Sequence, residues 1–225
     1  MNIQWPRVDF EPDLFENLLD NKGYDLVHYR SLLCPCLDAS TGQSSPNCTL
    51  CENGYQYWGA ETIKGVISGV SKEKQYSESG GIYLGTINLT VKPTVNLFYH
   101  DRIVHVDSLI PYSQIIVRGE SGSSDRLRYT PVTMERVTAI VSGAAVTYTE
   151  TTDYAVSGRN LTWVAGRGPA VGASFSATYQ HHPVWLVLQH SHMIRDTHVG
   201  PSVAAEVFRP MLVQALCKLE FLVEP

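Results

Sequence analysis

Charge is scarce in this chain. Only 17% of its 225 residues are Asp, Glu, Lys or Arg, against about a quarter in an average globular domain. The net charge is -5 and no basic tail is present, so no global field draws nucleic acid to the chain. No apolar run approaches the ~18–20 residues of a membrane span. The opening stretch, Met-Asn-Ile-Gln-Trp-Pro-Arg-Val-Asp-Phe, lacks a basic region followed by an apolar one. The expectation is therefore a chain without a secretory leader, held in a reducing compartment. Nucleotide loops are missing as well: there is no G-x-x-x-x-G-K-[ST] and no G-x-G-x-x-G, and Gly166-Arg-Gly168-Pro-Ala-Val-Gly172 has the wrong spacing for either. No G-x-S-x-G elbow offers a serine nucleophile. Asp101, Asp107, Asp125, Asp153 and Asp196 are scattered, with no spacing that selects a carboxylate pair. These absences leave almost nothing to suggest an enzyme, and a surface short of charge points to faces covered by other protein.

What the chain does have is cysteine in one place. Cys34-Pro-Cys36 and Cys48-Thr-Leu-Cys51 put four thiols into eighteen residues, and Cys217 is left over. The eleven residues between the pairs, Leu-Asp-Ala-Ser-Thr-Gly-Gln-Ser-Ser-Pro-Asn, have no apolar periodicity and almost nothing to pack. Two thiolate pairs at these spacings can wrap one tetrahedral Zn²⁺, whose binding contributes folding free energy directly. Two disulfides, or plain buried thiols, are the other readings, and a reducing compartment favours metal. Four cysteines close the coordination sphere, so the expected role is structural. Cys217 reads as a small buried hydrophobe.

Residues 11–22 read as a short helix, with Pro12 in its first turn, Leu14, Phe15, Leu18 and Leu19 on one face, and Gly23 at the C-cap. Tyr24–Leu33 reads as extended and runs into Cys34. From Glu61 the pattern becomes short β segments separated by Gly and Pro: 63–70, 83–92, 102–107, 114–118, 135–142, 145–149, 161–164, 174–179 and 184–189. This is a mainly β chain, a β-sandwich or barrel body with a short N-terminal helix and a small zinc-binding knuckle. The division expected is residues 1–60 for helix and knuckle and 61–225 for the β-rich body. The last run places Val213, Ala215, Cys217, Leu219, Phe221 and Val223 on one face, a half-buried strand, with a helix over 211–219 as the alternative. The polar stretches 71–81 and 121–124 read as loops off the scaffold.

Two other constellations invite chemistry. His190-Ser-His192, Asp196 and His198, with His181-His182 upstream, resemble a broken H-x-H-x-D-H metal motif, with the aspartate two positions late. A zinc-dependent hydrolase built on His190, His192 and Asp196 is thus the alternative from a different class, and a polar strand end is the plainer reading. Arg118, Arg126 and Arg128 form a modest basic group. The neighbouring Glu120 and Asp125 point to salt bridges there, although a zinc-knuckle nucleic-acid-binding protein is a third reading.

Taken in order, Leu33-Cys-Pro-Cys36, Thr41-Gly-Gln43, Pro46-Asn-Cys-Thr-Leu-Cys51, Gly54-Tyr55, Asp101-Arg-Ile-Val, Arg126-Leu-Arg-Tyr129, Asp153-Tyr-Ala-Val-Ser157, Leu161-Thr-Trp163, Pro169-Ala-Val-Gly172, Tyr179 and His182-Pro-Val-Trp185 resemble a family of tailed-bacteriophage virion proteins from the head-to-tail neck. The resemblance implies a non-enzymatic structural protein assembled in the host cytoplasm into the virion. It implies a homo-oligomeric ring (about six or twelve copies) in the neck as a collar, head-completion or gateway component, contacting portal or connector and tail proteins. Such a ring would surround the DNA channel, and an acidic wall would let DNA pass without sequence-specific binding. Structural Zn²⁺ on Cys34, Cys36, Cys48 and Cys51, with no catalytic residues, completes the expectation.

Overall fold

The computed structural model describes residues 12–38, 40–45, 48, 50, 51, 54–69, 85–120, 122, 124–192, 196–199 and 207–223. The protein is mainly β, with one short helix at the start. The helix α1, Pro12–Lys22, opens on Pro12, whose missing N–H costs nothing in a first turn. It closes where the Gly23 amide donates to the Leu19 carbonyl. Of its expected apolar face only Leu19 is buried; Leu14 and Leu18 stay largely in solvent. A single turn of contact is enough to seat so short a helix.

The chain packs as two compact units, Met1–Asp107 together with Val184–Pro225, and Ser108–Pro183. Residue 60, where the sequence divides knuckle from body, lies inside a continuous strand. The first unit is a closed barrel of six strands: β1 (Tyr24–Leu33), β2 (Tyr55–Gly69), β3 (Thr86–Val91), β4 (Arg102–His105), β12 (Val184–His192) and β15 (Val213–Leu219), in the order β1-β2-β3-β15-β12-β4. Every neighbour is antiparallel. Closure leaves no free sheet edge. Leu26, Ile63, Leu89, Val91, Ile103, Trp185, Val187, Ala215 and Cys217 fill the interior.

The terminal run obeys period two: Ala215 and Cys217 point inward, and the helix alternative over 211–219 fails. β-branched and aromatic partners on β3 and β12 make the strand the better fit. The alternation stops sooner than its pattern suggests, because Glu220–Leu222 turns into a 3-10 helix. There Glu220 is buried and accepts an ion-paired hydrogen bond from Arg102, whose guanidinium also lies 3.8 Å from the Tyr57 ring centre.

The second unit is inserted in the chain between β4 and β12. It has a four-stranded sheet of β5 (Ile110–Val117), β11 (Ser174–His181), β7 (Thr133–Val141) and β8 (Ala144–Tyr148), in the order β5-β11-β7-β8. A second sheet has the order β6-β10-β9, from β6 (Ser124–Arg126), β9 (Tyr154–Ser157) and β10 (Asn160–Trp163). A separate two-stranded ribbon pairs β13 (Asp196–Val199) with β14 (Val207–Pro210). Strands β6, β9, β13 and β14 are too short, or too polar, to announce themselves by alternation. Residues 71–81 lie outside the described residues, as do 121 and 123.

The hairpin motifs turn out to be packing and turn devices. Trp163 meets Tyr148, Tyr154 and Phe175 edge-on. Its Nε1–H donates to Asp125, which also accepts the Gly119 amide. Arg118 is occupied with the Arg167 and Pro169 carbonyls. Asp125 and Arg118 therefore hold turns rather than each other. Gly168 adopts φ +83°, and a Cβ there would lie 2.4 Å from the Trp163 ring; no other residue fits.

His181 is 1% exposed, stacks on Tyr129 at 4.1 Å, and has no hydrogen-bond partner on either nitrogen. Burial pulls its pKa from 6.5 down to about 4. The unfolded chain accepts a proton that the folded unit refuses, so stability of this unit is full above pH 6.5 and declines as pH falls toward 4. We expect a slope of up to ~1.4 kcal/mol per pH unit, read as faster amide exchange in β7 and β11, and flattened in His181→Leu. An unchanged slope in that variant would refute the assignment.

Candidate metal centre

The site is built at the end of a ribbon. β1 and β2 pair from Tyr24↔Gly65 to Leu33↔Tyr55, whereas β4 accompanies β1 only over Leu26–Tyr29. Past that point the two strands run on alone. The ladder continues one step further, with the Cys34 amide donating to the Gly54 carbonyl at 2.8 Å, so the backbone register itself positions the first cysteine. A turn follows. Pro35 supplies the fixed φ that suits its second position, and the Leu37 amide returns to the Cys34 carbonyl at 3.1 Å. That brings Cys36 back beside Cys34.

The polar segment between the pairs holds itself by local hydrogen bonds. Asp38 Oδ1 accepts the amides of Ser40 and Thr41 at 2.8 and 2.9 Å, as well as the Ser40 hydroxyl. The Ser40 hydroxyl and these amides stabilise the carboxylate and hold the Asp38 pKa down to about 2. The Asp38 amide donates to the Gln43 carbonyl, and the Gly42 amide donates back to the Asp38 carbonyl. This is the Asx-turn chemistry that the short polar side chain of Asp permits. Leu37 packs against the backbone at Gly54, which at φ +85° approaches so closely that an added Cβ would sit 2.7 Å from Leu37 Cδ2.

The result is a cluster in which the four sulfurs of Cys34, Cys36, Cys48 and Cys51 all lie within 4.8 Å of one another. Cys34 and Cys48 are 3.8 Å apart, Cys36 and Cys51 3.5 Å. A disulfide needs about 2.05 Å, and all four thiols are free. A regular tetrahedron of sulfurs around Zn²⁺, at ~2.3 Å from the ion, has edges of about 3.8 Å. The two pairs are near that edge length, and all four sulfurs are close enough to share one ion. Four cysteines close together can hold a metal ion, and the fit extends to the surroundings. The Gln56 side-chain amide donates to Cys34 Sγ at 3.4 Å, of the kind that offsets the negative charge of a thiolate cluster.

The thiols are electrostatically frustrated as a bare set. A hydrogen bond from the Leu50 backbone and the neighbouring Cys36 thiol pull Cys48 down to about 7, while burial and the Cys36 and Cys48 thiols push Cys51 up to about 12. Four adjacent thiolates repel, and a divalent cation is what lets all of them ionise together. An ion held by all four sulfurs would cross-link the two cysteine pairs.

The histidine candidates are described only in part. Among the described residues, the four cysteines are the only group of three or more metal-ligating side chains that converge. His190 Nε2 faces the Leu97 carbonyl at 2.8 Å and must donate to it. His182 Nδ1 likewise donates to the Ser108 carbonyl at 3.0 Å. The backbone places His192 at the end of β12 and Asp196 at the start of β13; their side chains, and that of His198, lie outside the described residues. Cys217 is buried in the barrel, where desolvation raises its thiol to about 12 and leaves it inert. Sequence reasoning missed Gln56, because one amide in a run of aromatics carries no pattern of its own.

Metal removal by a strong chelator is expected to raise amide exchange across residues 34–58 while leaving β3, β12 and β15 protected, since the barrel has its own apolar core. Global unfolding on chelation would contradict this. Cys48→Ser and Cys51→Ser should each abolish stoichiometric metal binding, measured by elemental analysis of the purified protein, and His190→Ala should leave it intact. Gly54→Ala should weaken metal retention without changing the barrel's thermal transition. No protein-family model matches the chain and no curated protein matches it in sequence, so the site stands on its own geometry.

Proposed function

We propose that the protein is a zinc-stapled structural component that works by binding other protein, a ring-forming member of the neck of a tailed bacteriophage that joins portal to tail around the DNA channel. The observation that carries the structural reading is the closed set of four sulfurs at tetrahedral spacing: such a site can hold a loop and cannot turn over a substrate. Zinc is the ion of choice, because an all-thiolate tetrahedral set suits a soft-tolerant d¹⁰ cation. The order of the cysteine and hairpin motifs supplies the phage resemblance.

Exposed apolar side chains support a role in assembly. Leu50 on the knuckle is 74% exposed, and Ile115 and Ile140 on the outer face of the four-stranded sheet are 79% and 69% exposed. They border a shallow groove of about 390 Å³ floored by Ser174 and Ser176. Leu14 and Leu18 on α1, and Leu33 and Trp58 on the ribbon, are also uncovered. Exposed apolar side chains of this kind suit contact faces, and a ring repeats one such contact around its axis. Among the described residues no helix is long and apolar enough to cross a membrane.

Mass measurement of the purified protein, alone and mixed with a portal ring, tests the reading, together with electron micrographs of the product. Closed rings, or a stable complex on the portal, with one zinc per chain are the expected result. A strict monomer that binds neither itself nor a portal would overturn it. Ile115→Asp combined with Ile140→Asp should reduce assembly while leaving zinc content unchanged.

A further inference from the structure

The barrel contains a charged device that the metal site does not use. His28 on β1 is fully buried, and both of its ring nitrogens face carboxylates: Nδ1 is 2.9 Å from Glu61 Oε1 and Nε2 is 2.7 Å from Asp101 Oδ2. Asp101 is itself fully buried and accepts the backbone amides of Ser31 and Phe98, both at 2.7 Å. A carboxylate taking two amide donors is an anion. A neutral imidazole has a single N–H and can satisfy only one of two carboxylates. The geometry therefore calls for an imidazolium.

Its position gives the charge a task. The β1–β2 register shifts between His28 and Arg30, at the point where the ribbon outruns β4 and starts toward the cysteines. The histidine ties three segments there: β1, β2 through Glu61, and the turn before β4 through Asp101. The other charged groups around it are few. Arg30 on β1 reaches Glu61 at 3.6 Å, Arg102 on β4 is engaged by Glu220, and His100 beside Asp101 stacks on Tyr55. Directly opposite His28 on β4 stands the uncharged Ile103.

We propose that the proton on His28 controls whether β2 is tied to β1 at the base of the ribbon, making the seating of the metal-binding knuckle pH-dependent. Losing that proton leaves one N–H, which stays with the fully buried Asp101. Glu61, 42% exposed at its side chain, exchanges its histidine for water. Burial opposes the charge on His28, but the hydrogen bonds to Asp101 and Glu61 outweigh it and raise the pKa above 6.5. A raised histidine contributes its stabilisation below the unfolded value and loses it as pH rises through the folded one. Despite burial, hydrogen bonds hold Asp101 below its ordinary pKa, and the hydrogen bond from His28 lowers that of Glu61. The tie is therefore also lost in acid, as those groups protonate.

The device is independent of the proposed assembly and is tested on the metal-loaded protein. Nitrogen NMR of His28 at neutral pH should show both ring nitrogens protonated, with a titration midpoint above that of free histidine. Through that midpoint the protection factors of β2 amides at 56–62 should fall by about tenfold or more, the effect of losing one hydrogen bond to a charged group, while β3 and β15 stay constant. Glu61→Gln, at a partly exposed site, should fold and should lower the midpoint; His28→Gln should give loose β2 amides at every pH. A singly protonated ring at neutral pH would overturn the proposal. So would a titration that leaves the β2 amides unchanged, or a midpoint unmoved by Glu61→Gln.

Discussion

The pairing of β1 with β2 carries most of what is distinctive here. One antiparallel register closes the barrel at Leu26 and Ile63, sets His28 beside Glu61, and delivers Cys34 opposite Gly54. A shift of one residue would reverse every side chain of β1. Leu26 would leave the core, His28 would lose its carboxylates, and Cys34 would face away from Cys48. The register is specified from the barrel end by burial and from the ribbon end by the cysteines, and the bulge near His28 is where the two demands are reconciled.

The metal site solves a problem that the barrel cannot. A barrel of six strands excludes water from its interior with about ten side chains, and that apolar core holds the strands regardless of any ion. The segment at 37–47 has no equivalent. Asp38 and Gly42 shape it through local hydrogen bonds, each worth only about 1 kcal/mol net, too little against the backbone entropy of eleven residues. A structural zinc held by the four thiols would supply ~10–16 kcal/mol of apparent binding free energy, which is the size of the deficit.

Some of this was legible in the residues. Cysteine spacing picked out the four thiols that converge, because coordination geometry constrains sequence separation tightly. The mainly β class followed from alternation and Gly–Pro punctuation, and Cys217 was recognisable as core from its place in a period-two run. Other parts had no signature. The strands β6 and β9 are only three and four residues long, too short for any period to register. The helix α1 buries one leucine where its pattern offered an apolar face. The inserted unit 108–183 interrupts the barrel between adjacent strands, and pairing of β4 with β12 across 78 residues of intervening chain is a non-local fact.

The sequence alone determined which four cysteines could share one ion, the absence of nucleotide and nucleophile motifs, and the β character, because each depends on residue type and short spacing. Only the tertiary structure decided that the sulfurs stand 3.5 and 3.8 Å apart rather than bonded, and that the six strands close. It also decided that His28 lies between carboxylates 33 and 73 positions away along the chain. Those outcomes rest on which distant strands become neighbours, and hydrophobic closure of the barrel, which is indifferent to the polar groups it brings together, makes that choice.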